Sequence, residues 1–151
     1  YKVDLSLVGA LAPREIIVPF DYCHHGNLSQ SDPSELDTYL NLLRKSHFLV
    51  LPSVAECGGI VFAEASSFAL PSLSRKTGGI PTMIEDGING FVLDFDAIAN
   101  DYAQKIIEVF SNKSAYEKLC VKSYNKFINE LDWQRGFELF KSYVSDLTKL
   151  D

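Results

Sequence analysis

Residues 55–67 read AECGGIVFAEASS, and they carry the strongest signal for the fold of this chain. The stretch follows a short apolar run, HFLVLPS at 47–53, which has the composition of a buried parallel strand ending at Pro52. Apolar residues then recur at helical spacing after the glycine pair Gly58 and Gly59. The stretch therefore predicts a strand, a glycine turn and a helix in immediate succession.

Strands and helices alternate along the first two thirds of the chain. A loop is predicted over 21–33, where polar and turn-forming residues dominate, and Ser34 is the expected N-cap of the next helix, with Asp37 as its capping partner. From Ala97 onward, apolar residues repeat at helical spacing. The other predicted strands cover 3–9, 16–20, 70–74 and 90–95.

This alternation predicts the α/β class. We expect a Rossmann-like parallel sheet with helices on both faces, followed by a helical C-terminal tail. The sheet domain is expected to cover residues 1–111, and the tail that packs on it residues 112–151.

The composition is that of a globular domain. Of the 151 residues, 46% are hydrophobic, which is enough for a sizeable core and too many for a disordered tail. The net charge of −6 disfavours nucleic acid and an anionic membrane surface as partners, and no apolar run approaches the ~20 residues of a membrane span. Cys23, Cys57 and Cys120 are widely spaced and odd in number, which favours free thiols in the cytoplasm. The first residues lack an initiator Met and a secretory leader pattern, so we expect a piece of a longer protein.

Two glycine turns are expected at the ligand-binding edge of the sheet. In open α/β sheets, ligands bind beyond the carboxyl ends of the strands, and Gly58 with Gly59 follows one such end. Thr77, Gly78 and Gly79 follow the next strand, so the two turns should lie side by side. A helix N-terminus behind a glycine turn offers free amides and the positive end of the helix dipole. The arrangement favours a pyrophosphate or a phosphorylated sugar as ligand.

Two carboxylates flank the first turn. Glu64 has the wrong charge to bind a phosphate, but a carboxylate accepts hydrogen bonds from two neighbouring hydroxyls, so a ribose diol is its natural partner. Glu56, on the loop, would do the same for the hydroxyls of a sugar. The alternative interpretation is that both are solvated surface acids, and that Gly78-Gly79 is a plain connecting turn.

The motif resembles that of one known family. ECGGIVFAE, with Glu56 and Glu64, is similar to the E-x7-E motif of the retaining GT-B glycosyltransferases of family 4. The resemblance extends over roughly residues 3–111, and its specific part covers 48–93. Further along, the chain keeps the family's motif residues in order: Gly78, Gly79, Pro81, Asp86, Gly87, Asn89 and Gly90.

The resemblance implies a nucleotide-sugar-binding domain, the C-terminal half of a GT-B fold. Glu64 matches the position that holds the ribose of the donor. Glu56, the candidate catalytic residue, matches the position that contacts the donor sugar. The backbone around the glycine turns would bind the donor sugar and its phosphates, at Gly58, Gly59, Ile60, Val61, Gly78 and Gly79.

The resemblance also implies a reaction and its partners. A sugar would pass from a UDP- or GDP-linked donor to an acceptor glycan or lipid, with retention of the anomeric configuration and without a metal or other cofactor. The N-terminal acceptor domain, and the basic residues that clamp the diphosphate, would precede this chain. The 151 residues alone should therefore be inactive. Nucleic acid is not an expected partner, and nothing in this piece indicates membrane contact.

Three positions depart from the family pattern. Gly58 stands where the family usually has an aromatic residue, Ala69 replaces a usual glycine before Pro71, and Thr82 replaces a usual glutamate. None of these changes removes a hydroxyl-binding carboxylate or a phosphate-binding amide.

Two other functions remain open. A sugar-nucleotide epimerase of the same two-domain architecture also combines a glycine-rich loop with a nearby glutamate, although SRKTGGIPT at 74–82 matches that family's usual segment poorly. A non-catalytic nucleotide-binding module is the other, since one fold hosts many functions. The glutamate pair favours the transferase.

Three further features are predicted to have structural roles. Asp94 and Asp96 imitate a metal-binding D-x-D pair, but their place after a strand predicts a turn and a helix cap. His24 and His25 have no third ligand nearby, so a polar loop is favoured over a zinc site. Trp133 is expected to anchor the tail in the core, while the apolar face of the tail is expected to be exposed.

Overall fold

The computed structural model describes residues 2–9 and 22–147. The chain divides into two compact units, Tyr1–Lys45 and Ser46–Asp151. Each unit has parallel strands of its own. The boundary expected at residue 111, between the sheet domain and its helical tail, is a different division and stays a prediction.

In the first unit, residues 2–9 and 22–45 form two short parallel strands and one helix. Strand β1 (Leu5–Leu7) lies within the stretch predicted as a strand at 3–9, which is confirmed in its central part. It pairs in parallel with β2 (Tyr22–His24). The further strand predicted at 16–20 lies outside the described residues.

Strand β2 corrects the prediction of a continuous loop over 21–33. The hydrogen bonds to β1 continue past the end of β2, where the His25 amide donates to the Leu7 carbonyl at 2.9 Å. Backbone pairing therefore determines the structure here, although the local sequence is polar and rich in turn formers. After β2, the stretch is irregular as predicted as far as Asp32.

Helix α1 (Pro33–Lys45) begins earlier than predicted, and its cap is Asp32 instead of Ser34. Asp32 Oδ1 accepts hydrogen bonds from the amides of Ser34 at 2.8 Å and Glu35 at 3.1 Å. Pro33 suits the first helical position because its ring presets φ and its missing N–H would have no partner there. The Ser34 hydroxyl, followed by these two amides, holds the pKa of Asp32 below its ordinary value.

The second unit is built on a parallel sheet whose strands follow each other in space as in sequence. They are β3 (Leu49–Leu51), β4 (Ser72–Arg75) and β5 (Gly90–Leu93). Strands β3 and β5 lie within stretches predicted as strands, whereas β4 extends one residue beyond the predicted stretch 70–74. Helix α2 (Ile60–Ser67) connects β3 to β4, and the single-turn helix α3 (Ile80–Met83) lies between β4 and β5. Because the three strands are parallel, their carboxyl ends meet at one edge of the sheet.

Helices cover both faces of this sheet. One face packs against α2 and α3 through Phe62 and Ile80, both fully buried. On the opposite face, Leu73 of β4 packs against Tyr102 of α4 (Ala99–Phe110). The alternation of side chains along β4 separates the two clusters. The predicted α/β class, with helices on both faces of a parallel sheet, is confirmed.

Helix α2 ends at Ser67, and the backbone just beyond its C-cap is strained. Ala69, beyond the last helical residue, has a φ of 56°, in the left-handed region that favours glycine. The amide of Leu70 donates to the Ala65 carbonyl, and that of Ala69 to the Ser66 carbonyl, both at 3.0 Å. These bonds close the helix and hold an alanine in a conformation that costs about 1 kcal/mol.

A buried asparagine joins α2, α3 and the turn before β5. Asn89 is fully buried, and its Nδ2 donates to the Met83 carbonyl at 2.8 Å and to Ser66 Oγ at 3.2 Å. Its Oδ1 accepts from the Glu85 amide at 2.8 Å. The carboxamide is stable in the core because both of its donors and its acceptor are paired.

Helix α5 (Lys113–Lys126) is tied to the same turn by its last residue. Lys126 bonds to Glu85 at 2.9 Å and also to Glu130, and only 10% of its side chain is exposed. Burial works to lower the pKa of Lys126. Its hydrogen bonds to the two glutamates outweigh burial and raise this pKa above the ordinary value. The lysine is therefore held in its charged form.

The C-terminal helix α6 (Trp133–Leu147) follows a π turn at Phe127–Leu131. Trp133 does not anchor the tail in the core, as was expected, because its side chain is 78% exposed. Asp132 has an extended backbone, so α6 starts in a new direction and does not continue the packing of α5. The expected exposure of the apolar face is confirmed for Phe137, Leu139, Phe140, Tyr143 and Val144. No helix in the two described ranges is long and apolar enough to cross a membrane.

Candidate functional site

The candidate site lies where β3 gives way to α2. The chain leaves the sheet at Pro52 and runs irregularly to Gly59, the N-cap of α2. Gly59 has a φ of 71°, and a Cβ at this position would collide with the ring of Phe62. Phe62 is fully buried. The core therefore dictates both the shape of this turn and its need for glycine.

The N-terminus of α2 is open. No side chain of residues 2–9 or 22–147 caps it, and Ile60, its first residue, is 54% exposed. The Phe62 amide donates to the Gly59 carbonyl at 3.0 Å, whereas the amides of Ile60 and Val61 donate to no other residue that the structure describes. Unpaired amides and the positive end of a helix dipole together provide what an anion requires.

The second glycine turn packs backbone to backbone against the loop that carries Glu56. A Cβ on Gly78 would lie within 3.0 Å of the Glu56 carbonyl oxygen, and one on Gly79 would collide with the Cys57 carbonyl oxygen. The Gly79 amide also donates to the Glu56 carbonyl, at 3.4 Å. Only residues without side chains allow this approach. The predicted adjacency of the two glycine turns is thus confirmed.

Thr77 adds a side-chain link between the same two segments. Its Oγ1 donates to the carbonyl of Val54 at 3.1 Å, from the end of β4 to the loop after β3. Sequence reasoning gave Thr77 no role beyond its place in the turn, because nothing local reveals which carbonyl lies opposite. Gly58 differs from its neighbours, since a Cβ there would have no atom of another described segment within 4 Å. The fold therefore leaves space beside Gly58.

The two glutamates of the motif have different settings. Glu56 is partly buried in the loop, and its Oε1 accepts a hydrogen bond from the Cys57 amide at 3.1 Å. Glu64 lies one helical turn beyond Ile60 on α2, so the two residues share a face of the helix. Its side chain is partly exposed. Glu56 and both glycine turns are thus brought together, with Glu64 further along the adjoining helix.

Other polar residues lie elsewhere or have structural roles. Arg75, at the end of β4, donates to the Ala97 carbonyl at 3.2 Å, on the face of the sheet opposite α2. Asp94 and Asp96 flank the predicted turn, but neither caps α4. Instead, the carboxylate of Asp101 accepts a 2.8 Å hydrogen bond from the N-cap amide. The three cysteines are free thiols, as predicted. Across residues 2–9 and 22–147, no three His, Cys, Asp or Glu side chains form a group that could hold a metal ion.

Sequence comparison identifies relatives among the glycosyltransferases. An uncharacterized glycosyltransferase of Methanocaldococcus jannaschii is 28% identical over 99 residues, which cover 66% of this chain and 28% of that protein. The D-inositol 3-phosphate glycosyltransferase of Mycolicibacterium smegmatis is 30% identical over 83 residues, 55% of this chain and 19% of that protein. The glycogen synthase of Pseudomonas syringae pv. syringae is 28% identical over 104 residues, 69% of this chain and 21% of that protein. The chain thus spans less than a third of the length of each of these curated relatives.

Structure comparison gives the same fold. The crystal structure of Anabaena HepE in complex with UDP matches 82% of this chain and 32% of its own, with a TM-score of 0.64 and 17% sequence identity. At that identity, the likeness concerns the fold alone. The family model described as glycosyl transferases group 1 matches residues 24–130, well over half of the 151 residues. The chain therefore belongs to the glycosyl transferases group 1 family.

Proposed function

We propose that this chain binds a nucleoside diphosphate sugar and is the donor-binding part of a retaining glycosyltransferase of GT-B architecture. The observation that carries the proposal is the uncapped N-terminus of α2, which lies beside two interlocked glycine turns. Membership of the group 1 family supports it, as does the UDP bound to the fold neighbour HepE. The activity of the whole protein is part of this proposal, since the chain is shorter than its relatives.

The diphosphate is proposed to bind at the start of α2. The amides of Ile60 and Val61 donate to its oxygens, and the helix dipole adds about 0.5–1 kcal/mol for a negative charge at this end. Gly58 lets the ligand approach the backbone, because the space where a Cβ would stand is free. Gly78 and Gly79, which pack against the carbonyls of Glu56 and Cys57, are proposed to offer backbone to the same diphosphate. Hydrogen bonds to an ionised phosphate are stronger than those to a neutral acceptor.

The two carboxylates are proposed to bind hydroxyl groups on either side of the diphosphate. Glu64 accepts hydrogen bonds from both hydroxyls of the ribose, since it lies one turn along the helix from the proposed diphosphate site. Glu56 contacts the hydroxyls of the donor sugar from the loop. Its present hydrogen bond to the Cys57 amide keeps the carboxylate beside the glycine turns.

The reaction proposed for the whole protein is sugar transfer with retention of the anomeric configuration. The bond between the sugar's anomeric carbon and the phosphate oxygen breaks, the acceptor oxygen bonds to that carbon, and the leaving phosphate takes the acceptor's proton. Negative charge grows on the diphosphate as the bond breaks, and the α2 amides stabilise it. No metal or other cofactor takes part in this proposal. The acceptor binds to a separate N-terminal domain, and the protein is proposed to act in the cytoplasm.

The proposal is tested by isothermal titration calorimetry, in which UDP and GDP are titrated separately into the 151-residue chain. The chain is expected to bind at least one of them. The variant Glu64→Ala is expected to weaken that binding by about tenfold or more, because hydrogen bonds to a charged group contribute about 1.5–3 kcal/mol. Glu117→Ala, at an exposed position of α5, is the matched control and should leave the affinity unchanged.

The outcomes separate the parts of the proposal. Equal affinity of the wild-type chain and the Glu64→Ala variant contradicts the ribose role. Absence of binding by the wild-type chain, with either nucleotide, contradicts nucleotide recognition itself. Turnover of a nucleotide sugar by the 151 residues alone contradicts the proposed need for a separate acceptor domain.

A further inference from the structure

Thr77 stands outside the residues assigned above to the donor, yet it holds the loop that carries one of them. We propose that Thr77 is a positioning residue, whose hydrogen bond to the Val54 carbonyl places Glu56 for contact with the donor sugar. This inference rests on the proposed function and extends it to a residue that does not touch the ligand.

Apart from the backbone packing of Gly78 and Gly79, few contacts among the described residues hold the loop between β3 and α2 near Glu56. Val54 is 67% exposed, and Ala55 and Cys57 are exposed as well, so apolar burial does not fix the segment. Two hydrogen bonds reach it from the second glycine turn. The one from Thr77 Oγ1 is 3.1 Å long, and the one from the Gly79 amide, at 3.4 Å, is close to the limit for such a bond. Thr77 therefore provides the shorter of the two links.

The start of α2 is held in a different way. Phe62 and Ala65 are both fully buried, so the helix is fixed by the core whatever the loop does. Loss of the Thr77 bond should thus move Glu56 more than the amides of Ile60 and Val61. We therefore expect the sugar to contribute less to the binding free energy when the Thr77 bond is lost, while the contribution of the nucleotide is unchanged.

The test compares UDP with UDP-glucose on the 151-residue chain. Thr77→Val has almost the same shape as threonine and cannot donate, so it is expected to weaken UDP-glucose binding by about three- to tenfold and UDP binding by less than about twofold. Thr77→Ser keeps the hydroxyl and should restore the wild-type ratio of the two affinities. Thr38→Val is the matched control, because Thr38 Oγ1 also donates to a carbonyl, that of Ser34 at 2.9 Å, but within α1.

A double-mutant cycle with Glu56→Ala distinguishes positioning from mere stability. If Thr77 acts through Glu56, the valine variant has no further effect on UDP-glucose affinity once the carboxylate is gone. A purely structural role would lower the melting temperature of Thr77→Val and leave the ratio of the two affinities unchanged. That result overturns the proposal. An equal loss of UDP and UDP-glucose affinity also overturns it, because the Thr77 hydroxyl would then act on the binding of the diphosphate and not of the sugar.

A measurement without ligand keeps this inference separate from the proposed function. Amide hydrogen exchange at Gly79, whose N–H spans the turn and the loop, should be faster in Thr77→Val than in the wild-type chain and normal in Thr77→Ser. Unchanged exchange contradicts the positioning role even if nucleotides bind. If the wild-type chain binds GDP and not UDP, the same comparison uses GDP and GDP-glucose. If it binds neither nucleotide, the proposed function fails with any role of Thr77 in it, and exchange still reports whether Thr77 holds the loop.

Discussion

Replacement of Asn89 by alanine is expected to lower the free energy of unfolding by about 3 kcal/mol. The side chain is fully buried and makes three hydrogen bonds, to Ser66 Oγ, the Met83 carbonyl and the Glu85 amide. A typical intramolecular hydrogen bond contributes about 1 kcal/mol net, and a buried partner left unpaired costs about 1–3 kcal/mol. Three bonds at the lower figure give the stated value.

The partners of Asn89 differ in how well water can replace the lost side chain. Ser66 is fully buried, so its hydroxyl is left to find another partner within the protein. Glu85 is exposed, and water can reach its amide more readily. The loss at Ser66 and at the Met83 carbonyl is therefore expected to exceed the loss at the Glu85 amide. Removal of the carboxamide atoms also leaves a small cavity, which adds to the loss.

Urea unfolding, monitored by far-ultraviolet circular dichroism, measures the change in the free energy of unfolding. For a chain of this size, a loss of about 3 kcal/mol corresponds to a fall in melting temperature of about 6–12 °C. Asn125→Ala, at an exposed position of α5, is the matched control and should change stability by less than about 0.5 kcal/mol. If Asn89→Ala is no less stable than this control, the buried network does not support the fold as argued.

Three further predictions concern backbone space, backbone strain and charge. Gly79→Ala is expected to lower the free energy of unfolding by about 2 kcal/mol or more, because the new Cβ would collide with a carbonyl oxygen. Gly136→Ala, at a position in α6 with free space, should raise the free energy of unfolding by up to about 1 kcal/mol. Urea unfolding that ranks the two variants in the opposite order contradicts the packing argument. Ala69→Gly should raise the free energy of unfolding by about 0.5–1 kcal/mol, because glycine adopts the left-handed φ at the end of α2 without strain. A lower free energy of unfolding would argue against strain at this position. The pKa of Lys126 is raised in the folded chain above its ordinary value of 10.5. The stability that Lys126 contributes is therefore fully present below pH 10.5 and is lost as the pH rises through the folded pKa. The stability difference between the wild-type chain and Lys126→Met should therefore shrink above pH 10.5, and a difference that grows there reverses the assigned sign.

The main elements of the second unit and the meeting of the glycine turns are predictable from the sequence. Parallel strands with short connections leave their carboxyl ends at one edge, so segments following β3 and β4 must be neighbours. Gly78 and Gly79 also signal a close approach of backbone. What the sequence does not reveal is the partner, because the contact with Glu56 and Cys57 joins residues that are far apart in the chain.

The failures of prediction have physical causes of the same kind. Tyr22–His24 forms a strand because β1 pairs with it, and no local pattern indicates that pairing. Asn89 reads as a turn residue, and only tertiary structure shows that its carboxamide is buried and bonded on three sides. Trp133 is large and apolar, properties that favour burial, yet the extended backbone at Asp132 starts α6 at the surface. Local propensity is decisive only where no long-range contact opposes it.

The exposed indole of Trp133 decides what fluorescence can report for this chain. It is the single tryptophan, so intrinsic emission excited at the red edge arises from the start of α6 and from nowhere else. Its emission should already be that of a hydrated indole in the native state, and a soluble quencher such as iodide should reach it without unfolding. A melting curve read from this signal follows the start of the C-terminal helix α6, not the sheet. Any separation between that curve and the dichroism curve measures how far α6 frays before the rest of the chain melts.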